Sequence, residues 1–186
     1  MSASAAHLYF HCGFSESVEG ESHRLLRDAA AAYCTEHSLP LPALDFARSE
    51  GGKPFFLYAP HLHFSISHSG GFWICAFSDS PIGIDLQQIK AIRATGIARR
   101  FFHPEEIAYL DAHPDAFFAL WTAKESYVKL TGRGVAAEFP HISVICHGEF
   151  TPPSPARTLL HIPFHEGYAL CLCGDTEEIC LHELKA

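Results

Sequence analysis

The most informative stretch of the chain reads Trp121-Thr122-Ala123-Lys124-Glu125-Ser126-Tyr127-Val128-Lys129. It lies in a segment whose pattern predicts a helix, and side chains four residues apart on a helix share one face. Trp121, Glu125 and Lys129 would therefore present an indole, a carboxylate and an ammonium side by side. An ordinary surface ion pair, with the tryptophan as an anchor, is the alternative that this stretch alone leaves open.

A strand is predicted at Ile82-Gly83-Ile84-Asp85-Leu86-Gln87. Alternate side chains of a strand point to the same side, so Asp85 and Gln87 share one face. An acid in so apolar a run needs a partner, because an unpaired buried carboxylate is costly. Lys124 or Lys129 would supply a plain salt bridge, and a hard cation shared with the predicted helix is the other possibility.

A cation held by Asp85 and Glu125 would point to a ligand that carries phosphate. Magnesium is usually bound by one or two carboxylates, retained waters and phosphate oxygens of a substrate. Two carboxylates leave the coordination shell incomplete, so the ligand must complete it. If the two acids share a cation and not a lysine, the site would therefore act on a phosphate compound.

Two turns add polar groups that could reach such a ligand. His63-Phe64-Ser65-Ile66-Ser67-His68-Ser69 places His68 and its flanking serines where a predicted strand enters a turn. Local hydrogen bonds of the serines to the backbone are the alternative. Gly51-Gly52-Lys53-Pro54 is a flexible turn that ends in a fixed backbone angle, and alone it indicates little.

The order of elements predicts an α+β fold. A strand at Leu8–Phe10 precedes a helix at Glu21–His37, and two aromatic strands flank Ser69-Gly70-Gly71 as a hairpin. The polar segment Ser78-Asp79-Ser80-Pro81 marks a seam between halves at residues 1–80 and 81–186. Each half runs from strand through helix to further strands, so the pattern indicates a duplicated unit with a site between the halves.

The second half is predicted in more detail from its periodicity and its breakers. Gly132 suits the left-handed cap of the last helix. The predicted helices lie at residues 92–100, 104–112 and 115–130, and the predicted strands at residues 82–86, 141–145, 159–162, 168–173 and 178–183.

Composition excludes several classes of function. The chain has 13 Lys and Arg against 21 Asp and Glu, a formal charge of −8 that disfavours nucleic acid as a partner. No stretch approaches the roughly 20 apolar residues of a membrane span, and no basic segment followed by an apolar run opens the sequence. We expect a cytoplasmic protein without a membrane partner.

The spacing of cysteines and histidines does not indicate a zinc site. The chain has 7 Cys and 14 His but neither a His-Glu-x-x-His nor a Cys-x-x-Cys motif. The pairs His61/His63 and Cys171/Cys173 are two apart, as on one face of a strand. Buried free thiols are the expectation for the cysteines.

Six segments, in this order, resemble the 4′-phosphopantetheinyl transferases of the surfactin-synthetase-activating (Sfp-like) type. The resemblance covers the chain from Ser22 to about Gly134, and its distribution over six segments makes it specific. The segments are Ser22-His23-Arg24-Leu25-Leu26, Gly52-Lys53-Pro54, Phe64-Ser65-Ile66-Ser67-His68-Ser69, Gly83-Ile84-Asp85-Leu86, Arg100-Phe101-Phe102 followed by Glu106, and Trp121 through Lys129 with Gly132-Arg133-Gly134.

This resemblance implies a pseudo-twofold α+β enzyme with its active site between two similar halves. It implies transfer of the phosphopantetheine arm of coenzyme A to a serine of an acyl or peptidyl carrier protein, with release of adenosine 3′,5′-bisphosphate. Mg²⁺ is the implied cofactor and coenzyme A the implied co-substrate. The first half would bind the nucleotide and the second would supply the magnesium and catalytic elements, within a monomer.

The resemblance also implies roles for individual residues. Asp85 and Glu125 would be metal ligands, with Gln87 as a neutral third position, and Lys129 would contact the pyrophosphate. Glu125 is the first candidate for the base that takes the serine proton, and Glu106 the second. The coenzyme A pocket would be formed by Arg24 at the nucleotide end and by Lys53, Pro54, Ser67 and His68.

Two departures from the family pattern are visible. Many relatives place a third acid two residues after the strand aspartate, where this chain has Gln87, whose amide cannot act as a base. Residues 1–23 contain no Lys or Arg, whereas longer relatives use basic residues there on the nucleotide phosphate.

Two other functions remain as alternatives. One is a homologue that binds coenzyme A or a carrier protein without turnover, and the other is a phosphohydrolase built on the two acids. For the transferase, we expect an acidic carrier protein to dock on a local basic patch. That patch would include Arg99, Arg100, Lys124 and Arg133.

Overall fold

The computed structural model describes residues 5–41, 43, 45–134, 138–176 and 178–185. The helices are α1 (Glu21–Glu36), α2 (Ala94–Phe101), α3 (Pro104–Ala112) and α4 (Phe117–Thr131). The strands are β1 (Ala6–Cys12), β2 (Phe46–Arg48), β3 (Pro54–Phe56), β4 (His63–Ser69), β5 (Phe72–Ser78), β6 (Gly83–Gln88), β7 (Ile145–Cys146), β8 (Glu149–Phe150), β9 (Thr158–His161), β10 (Tyr168–Gly174) and β11 (Ile179–Glu183). The predicted α+β class is confirmed. None of the described helices is long and apolar enough to cross a membrane.

The first sheet has the order β11-β1-β5-β4 and is covered on one face by α1. Its strands are antiparallel except for β11, which runs parallel to β1. The apolar residues of α1 recur every three or four positions, so they form one stripe. Leu26 and Tyr33 from this stripe are buried in one cluster with Tyr9 and Phe77 of the sheet.

The second sheet has the order β6-β10-β9 and packs between the first sheet and α4. Ile84 and Leu172 lie in a buried layer with Leu8 and Ile74 of the first sheet. On the opposite side, Cys171 joins the cluster of α2, α3 and α4. The layers therefore follow the order α1, first sheet, second sheet, α4.

A row of serine side chains links β4 of the first sheet to β6 of the second. Ser65 Oγ accepts a hydrogen bond from the Ile84 amide at 3.0 Å, and Ser67 Oγ accepts one from the Leu86 amide at 3.0 Å. Ser69 Oγ continues the row by accepting from the amide of Gln88 at 2.9 Å. Alternate residues of β4 thus satisfy backbone donors of β6 that would otherwise be unpaired.

Most predicted elements appear within a few residues of their expected positions. Gly132 caps α4 with a φ of 71°, as its left-handed role requires. The strand predicted over residues 141–145 was wrong: a 3-10 turn occupies Phe139–His141, and β7 has only two residues. β11 also joins the sheet of the first half, through β1.

All seven cysteines are free thiols, and four of them are buried. Cys171 and Cys173 lie within β10. Burial raises the pKa of both thiols to about 12, so they stay protonated as apolar core residues.

Candidate active site

The close approach of β6 to α4 positions the strand aspartate beside the helix. A Cβ atom on Gly83 would lie 1.9 Å from the carbonyl oxygen of Ser126 and 2.5 Å from the amide nitrogen of Leu130. Only glycine fits at this contact without displacement. Two residues later the strand presents Asp85 toward the last turns of α4.

Asp85 is 2% exposed, and its carboxylate is held by three neighbouring side chains. Lys129 Nζ lies 2.6 Å from Asp85 Oδ1, and Ser67 donates to the same oxygen at 2.9 Å. Lys129 also donates to Ser67 Oγ at 3.0 Å, and the Gln87 amide donates to Asp85 Oδ2 at 3.2 Å. Of the two lysines that the sequence left open, Lys129 is the partner.

Glu125 lies one helical turn before Lys129 and faces the same region. Burial and, to a smaller extent, the negative charge of Asp85 raise the pKa of Glu125 to about 7, although Lys129 opposes both effects. The two acids are therefore near enough to repel each other when both are ionised. Asp85, Gln87, Glu125 and Lys129 all line one cavity.

Two adjoining cavities of about 280 and 470 Å³ form a cleft between β4 and the loop before β3 on one side and β6 and α4 on the other. Pro54, Ile66, Glu125 and Lys129 line both cavities. We use "the cleft" for the space lined by these four residues together with Ser22, His23, Leu26, Phe46, Arg48, Gly51, Gly52, Lys53, Phe64, Ser65, Ser67, His68, Asp85, Gln87, Val128, Gly132 and Gly134.

Lys53 lines the cleft but directs its ammonium into the protein. Lys53 Nζ donates to the carbonyl oxygens of Ile82 and Leu130, each at 3.0 Å. Burial lowers the pKa of Lys53 to about 8, with a smaller contribution from the positive charge of Arg157. Lys53 therefore ties the glycine-rich loop to β6 and to the end of α4.

His68 and Ser67 lie at neighbouring positions but in different environments. Ser67 is buried in the hydrogen-bond network of Asp85. His68 is exposed, and its Nδ1 lies 3.0 Å from Glu16 Oε1 while its ring packs 4.9 Å from that of Phe14. His68 thus reaches the cleft from its outer rim.

Two predicted site residues are not brought to the cleft. Glu106 is fully buried, 2.6 Å from Lys124 Nζ, and accepts from the backbone amides of His103 and Val144. The Glu106 carboxylate therefore joins α3 to α4 through its ion pair with Lys124. Lys124 is itself 0% exposed, so the expectation that it meets a carrier protein was wrong.

Arg24 is the second residue outside the cleft. Its guanidinium is exposed and pairs with Glu21 at 3.7 Å and Asp28 at 2.9 Å along α1. The residues just before it, Ser22 and His23, line the cleft instead. The helix turns the side chain of Arg24 away from the position expected for it.

Arg48 and His23 line the cleft and were not identified as site residues from the sequence. Arg48 ends β2 and donates to the Gly52 carbonyl oxygen at 2.9 Å. Because β2 has only three residues and was not predicted, no periodic signal placed this arginine. Residues 1–23 contain no Lys or Arg. Arg48 and His23 instead supply basic side chains to the part of the cleft formed by the first half.

Trp121 acts as the expected anchor of α4. Its partly buried ring lies 5.9 Å from that of Phe117 and 5.4 Å from that of Phe139, against the buried cluster of the second half. The indole is thus on the packed side of the helix, while Glu125 and Lys129 reach the cleft. One side of α4 therefore packs on the hydrophobic core, and the other side faces the polar cleft.

The donor set of the cleft fits a divalent cation. Two carboxylates and an amide side chain line the same cavity, where burial and the charge of Asp85 together raise the pKa of Glu125. A hard cation prefers such oxygen ligands and removes their repulsion. The Gln87 amide adds an oxygen without adding charge.

Comparison with known proteins identifies similar chains. Residues 81–173 match the family described as the 4′-phosphopantetheinyl transferase superfamily. A "4′-phosphopantetheinyl transferase" of Bacillus subtilis is 40% identical over 125 residues, covering 64% of this chain and 54% of that protein. The "4′-phosphopantetheinyl transferase Sfp" of Bacillus subtilis (strain 168) is 36% identical over 150 residues, 75% of this chain and 66% of that protein.

A third similar protein, "4′-phosphopantetheinyl transferase ffp" of Bacillus subtilis, is 33% identical over 174 residues. That alignment covers 83% of this chain and 75% of that protein. The chain thus spans between 54% and 75% of the length of these three relatives.

Proposed function

The chain belongs to the 4′-phosphopantetheinyl transferase superfamily, and on that basis we propose that it transfers 4′-phosphopantetheine from coenzyme A to a serine of an acyl or peptidyl carrier protein. The observation that carries the proposal is the meeting of Asp85, Glu125 and Lys129 in one cleft. These groups suit a reaction that moves a phosphoryl group between two oxygens. The products would be the holo carrier protein and adenosine 3′,5′-bisphosphate.

In the proposed reaction the carrier serine oxygen forms a bond to the β-phosphorus of coenzyme A. The phosphoanhydride bond breaks, and its electron pair leaves with adenosine 3′,5′-bisphosphate. Lys129 would bind a pyrophosphate oxygen and offset the charge that accumulates there. Its contacts with Asp85 and Ser67 hold the ammonium in position for this task.

The serine proton must go to a base in the cleft. Glu125 lines the cleft beside Asp85 and Lys129, where its carboxylate could take the proton directly or through a water. We therefore assign this role to Glu125 and not to Glu106, whose carboxylate is buried against Lys124. Proton transfer to Glu125 balances the formation of the new phosphoester.

Asp85 and Glu125 would hold Mg²⁺, with Gln87 beside them. Bound there, the ion would supply Lewis-acid stabilisation of phosphoryl oxygens. Lys129 and Ser67 hold the Asp85 carboxylate in place, and a cation would be attracted to such a carboxylate. The neutral amide of Gln87 makes the site less negative than one with a third acid.

Coenzyme A would extend from these groups along the first half of the chain. Pro54, Ser67 and His68 would line its path, Lys53 would hold the loop that shapes it, and Arg48 would face the nucleotide phosphates. This assignment keeps nucleotide binding in residues 1–80 and catalysis in residues 81–186. A carrier protein would approach the exposed Arg99, Arg100 and Arg133.

Intact-mass measurement of carrier proteins tests the proposal directly. Apo carriers from fatty-acid, polyketide and peptide synthesis would be incubated with coenzyme A, Mg²⁺ and the protein. At least one carrier should gain the mass of phosphopantetheine. If none gains it, the transferase proposal fails, and coenzyme A binding without product would favour the non-catalytic alternative.

A matched pair of lysine variants tests the site. Lys129→Ala should lower the rate of transfer by about 100- to 1,000-fold, the usual effect of removing one group that stabilises transition-state charge. Lys90→Ala removes an exposed lysine outside the cleft and should leave the rate unchanged. Equal rates for the two variants would contradict the role of Lys129. Release of phosphopantetheine without a carrier would instead indicate a hydrolase.

A further inference from the structure

A group of metal-binding side chains lies outside the cleft, at the junction of β1, α1 and β11. Within the part of the chain that the structure describes, the ligand atoms of His7, Glu36 and His182 lie within 4.8 Å of one another. His7 Nδ1 is 3.2 Å from His182 Nε2, and His182 Nε2 is 3.8 Å from Glu36 Oε2. None of the three residues lines the cleft.

The two separations that involve His182 are close to the spacing of ligands around a tetrahedral zinc ion. Zinc binds histidine nitrogens and carboxylate oxygens at about 2.0–2.2 Å, which places neighbouring tetrahedral ligands about 3.3–3.6 Å apart. The two measured separations lie on either side of that range. The third pair, His7 and Glu36, has its ligand atoms within 4.8 Å, so side-chain movements of about 1 Å would bring all three groups onto one ion.

The chemistry of the three groups selects the class of ion. Two imidazoles and one carboxylate suit zinc and related transition-metal ions, whereas magnesium prefers oxygen ligands alone. Three protein ligands leave a fourth tetrahedral position open to water. The group therefore differs in preference from the two acids of the cleft.

Neighbouring residues hold these ligands in place. The Tyr9 hydroxyl donates to Glu36 Oε2 at 2.8 Å, and Tyr9 is only 2% exposed. The His182 ring stacks on that of Tyr9 at 4.7 Å and on that of His7 at 5.4 Å. His37 packs edge-on against His7 at 4.3 Å. Such outer contacts orient the ligands of metal sites.

We propose that His7, Glu36 and His182 form a second metal site, which binds a zinc-class divalent cation separately from the cleft. Its ligands come from strand β1, the last residue of α1 and strand β11. An ion bound there would cross-link β11 to β1 within the first sheet, and both strands to α1, which covers that sheet. Binding to the folded state alone would also raise its stability.

Zinc titration of the metal-free protein tests this proposal. Wild-type protein should bind one equivalent of Zn²⁺ at this site in competition with a chromophoric chelator, and its melting temperature should rise. Co²⁺ in place of Zn²⁺ should give the visible absorption of a tetrahedral complex. His182→Gln should lose the equivalent of Zn²⁺ and the rise in melting temperature.

Further variants distinguish the loss of a zinc ligand from a general loss of folding. Glu36 is exposed at the end of its helix, so Glu36→Gln should fold normally and weaken zinc binding by at least about tenfold. His61→Gln removes an exposed histidine outside the group and should bind zinc as the wild type does. If wild type, His182→Gln and Glu36→Gln bind Zn²⁺ equally, the proposal is overturned.

The test is independent of the transferase proposal. Lys129→Ala should retain the zinc site, because Lys129 lies in the cleft and contacts none of its ligands. Loss of zinc binding in Lys129→Ala would place the bound ion in the cleft and would contradict a separate site.

Discussion

Glu125 shows how position within the fold changes the chemistry of one residue. Its sequence neighbours make it look like half of a surface ion pair with Lys129. In the structure it is partly buried beside Asp85, and burial together with that charge raises its pKa to about 7. The same residue is thus a candidate base and a candidate metal ligand.

The raised pKa of Glu125 predicts that the stability of the metal-free folded protein depends on pH. The unfolded chain loses this proton near 4.5, whereas the folded protein keeps it up to about 7. Because the folded state then binds more protons, its stability should fall as pH rises between these values and level off above them. Glu125→Gln should remove this pH-dependent loss of stability. The free energy of unfolding of the variant should therefore exceed that of the wild type by an amount that grows with pH to the order of 2 kcal/mol.

Urea unfolding at several pH values, with a chelator present, would measure the difference. Glu149→Gln is the matched control, because Glu149 is an exposed acid on β8. A constant difference between wild type and Glu125→Gln across this pH range would contradict the raised pKa.

At the scale of elements, the site depends on the contact between β6 and α4. Gly83 lets the strand backbone touch the helix backbone, which brings Asp85 within 2.6 Å of Lys129 Nζ. Trp121 and its aromatic neighbours hold the other side of α4. The distance between Asp85 and Lys129 is therefore a consequence of backbone packing.

Gly83→Ala should push α4 away from β6. Its Cβ would lie 1.9 Å from the Ser126 carbonyl oxygen, so either the strand or the helix must move. We expect a loss of stability of about 1–3 kcal/mol, as for other overpacked sites, and a lower rate of transfer. Denaturant unfolding and the intact-mass assay would measure the two effects.

Gly96→Ala is the control for this substitution. Gly96 lies in α2, and a Cβ there meets no atom within 4 Å. Alanine should stabilise that helix slightly, because it favours helical backbone more than glycine does. Similar stabilities for the two variants would show that the contact at Gly83 has room to relax.

At the scale of the whole molecule, the row of serines on β4 joins the first sheet to the second through hydrogen bonds to β6. Ser65→Ala would leave the buried Ile84 amide without its partner, at a cost of about 1–3 kcal/mol. Ser69→Ala, at the exposed end of the row, should cost much less because water can replace the hydroxyl. Denaturant unfolding of the two variants and hydrogen exchange of the Ile84 and Gln88 amides would measure this difference. Equal losses of stability in Ser65→Ala and Ser69→Ala would contradict the prediction.

Much of the fold could be predicted because its signals are local. The helix periodicity of α1 and α4, the Ser69-Gly70-Gly71 turn and the cap at Gly132 depend on residues a few positions apart. β2 and the two-residue strands β7 and β8 are too short to leave a periodic pattern. β2 was therefore missed, and Arg48, which ends it, was missed with it.

The sequence by itself determined the α+β class, the family resemblance and the placing of Asp85, Glu125 and Lys129 on a strand and a helix. Only the tertiary structure decided that Lys129 pairs with Asp85, that Glu106 is buried against Lys124, and that His7 meets His182. The physical reason is the range of the interactions. Periodicity and capping act within a few residues, whereas these contacts join side chains up to 175 positions apart and form only when the sheets and helices pack.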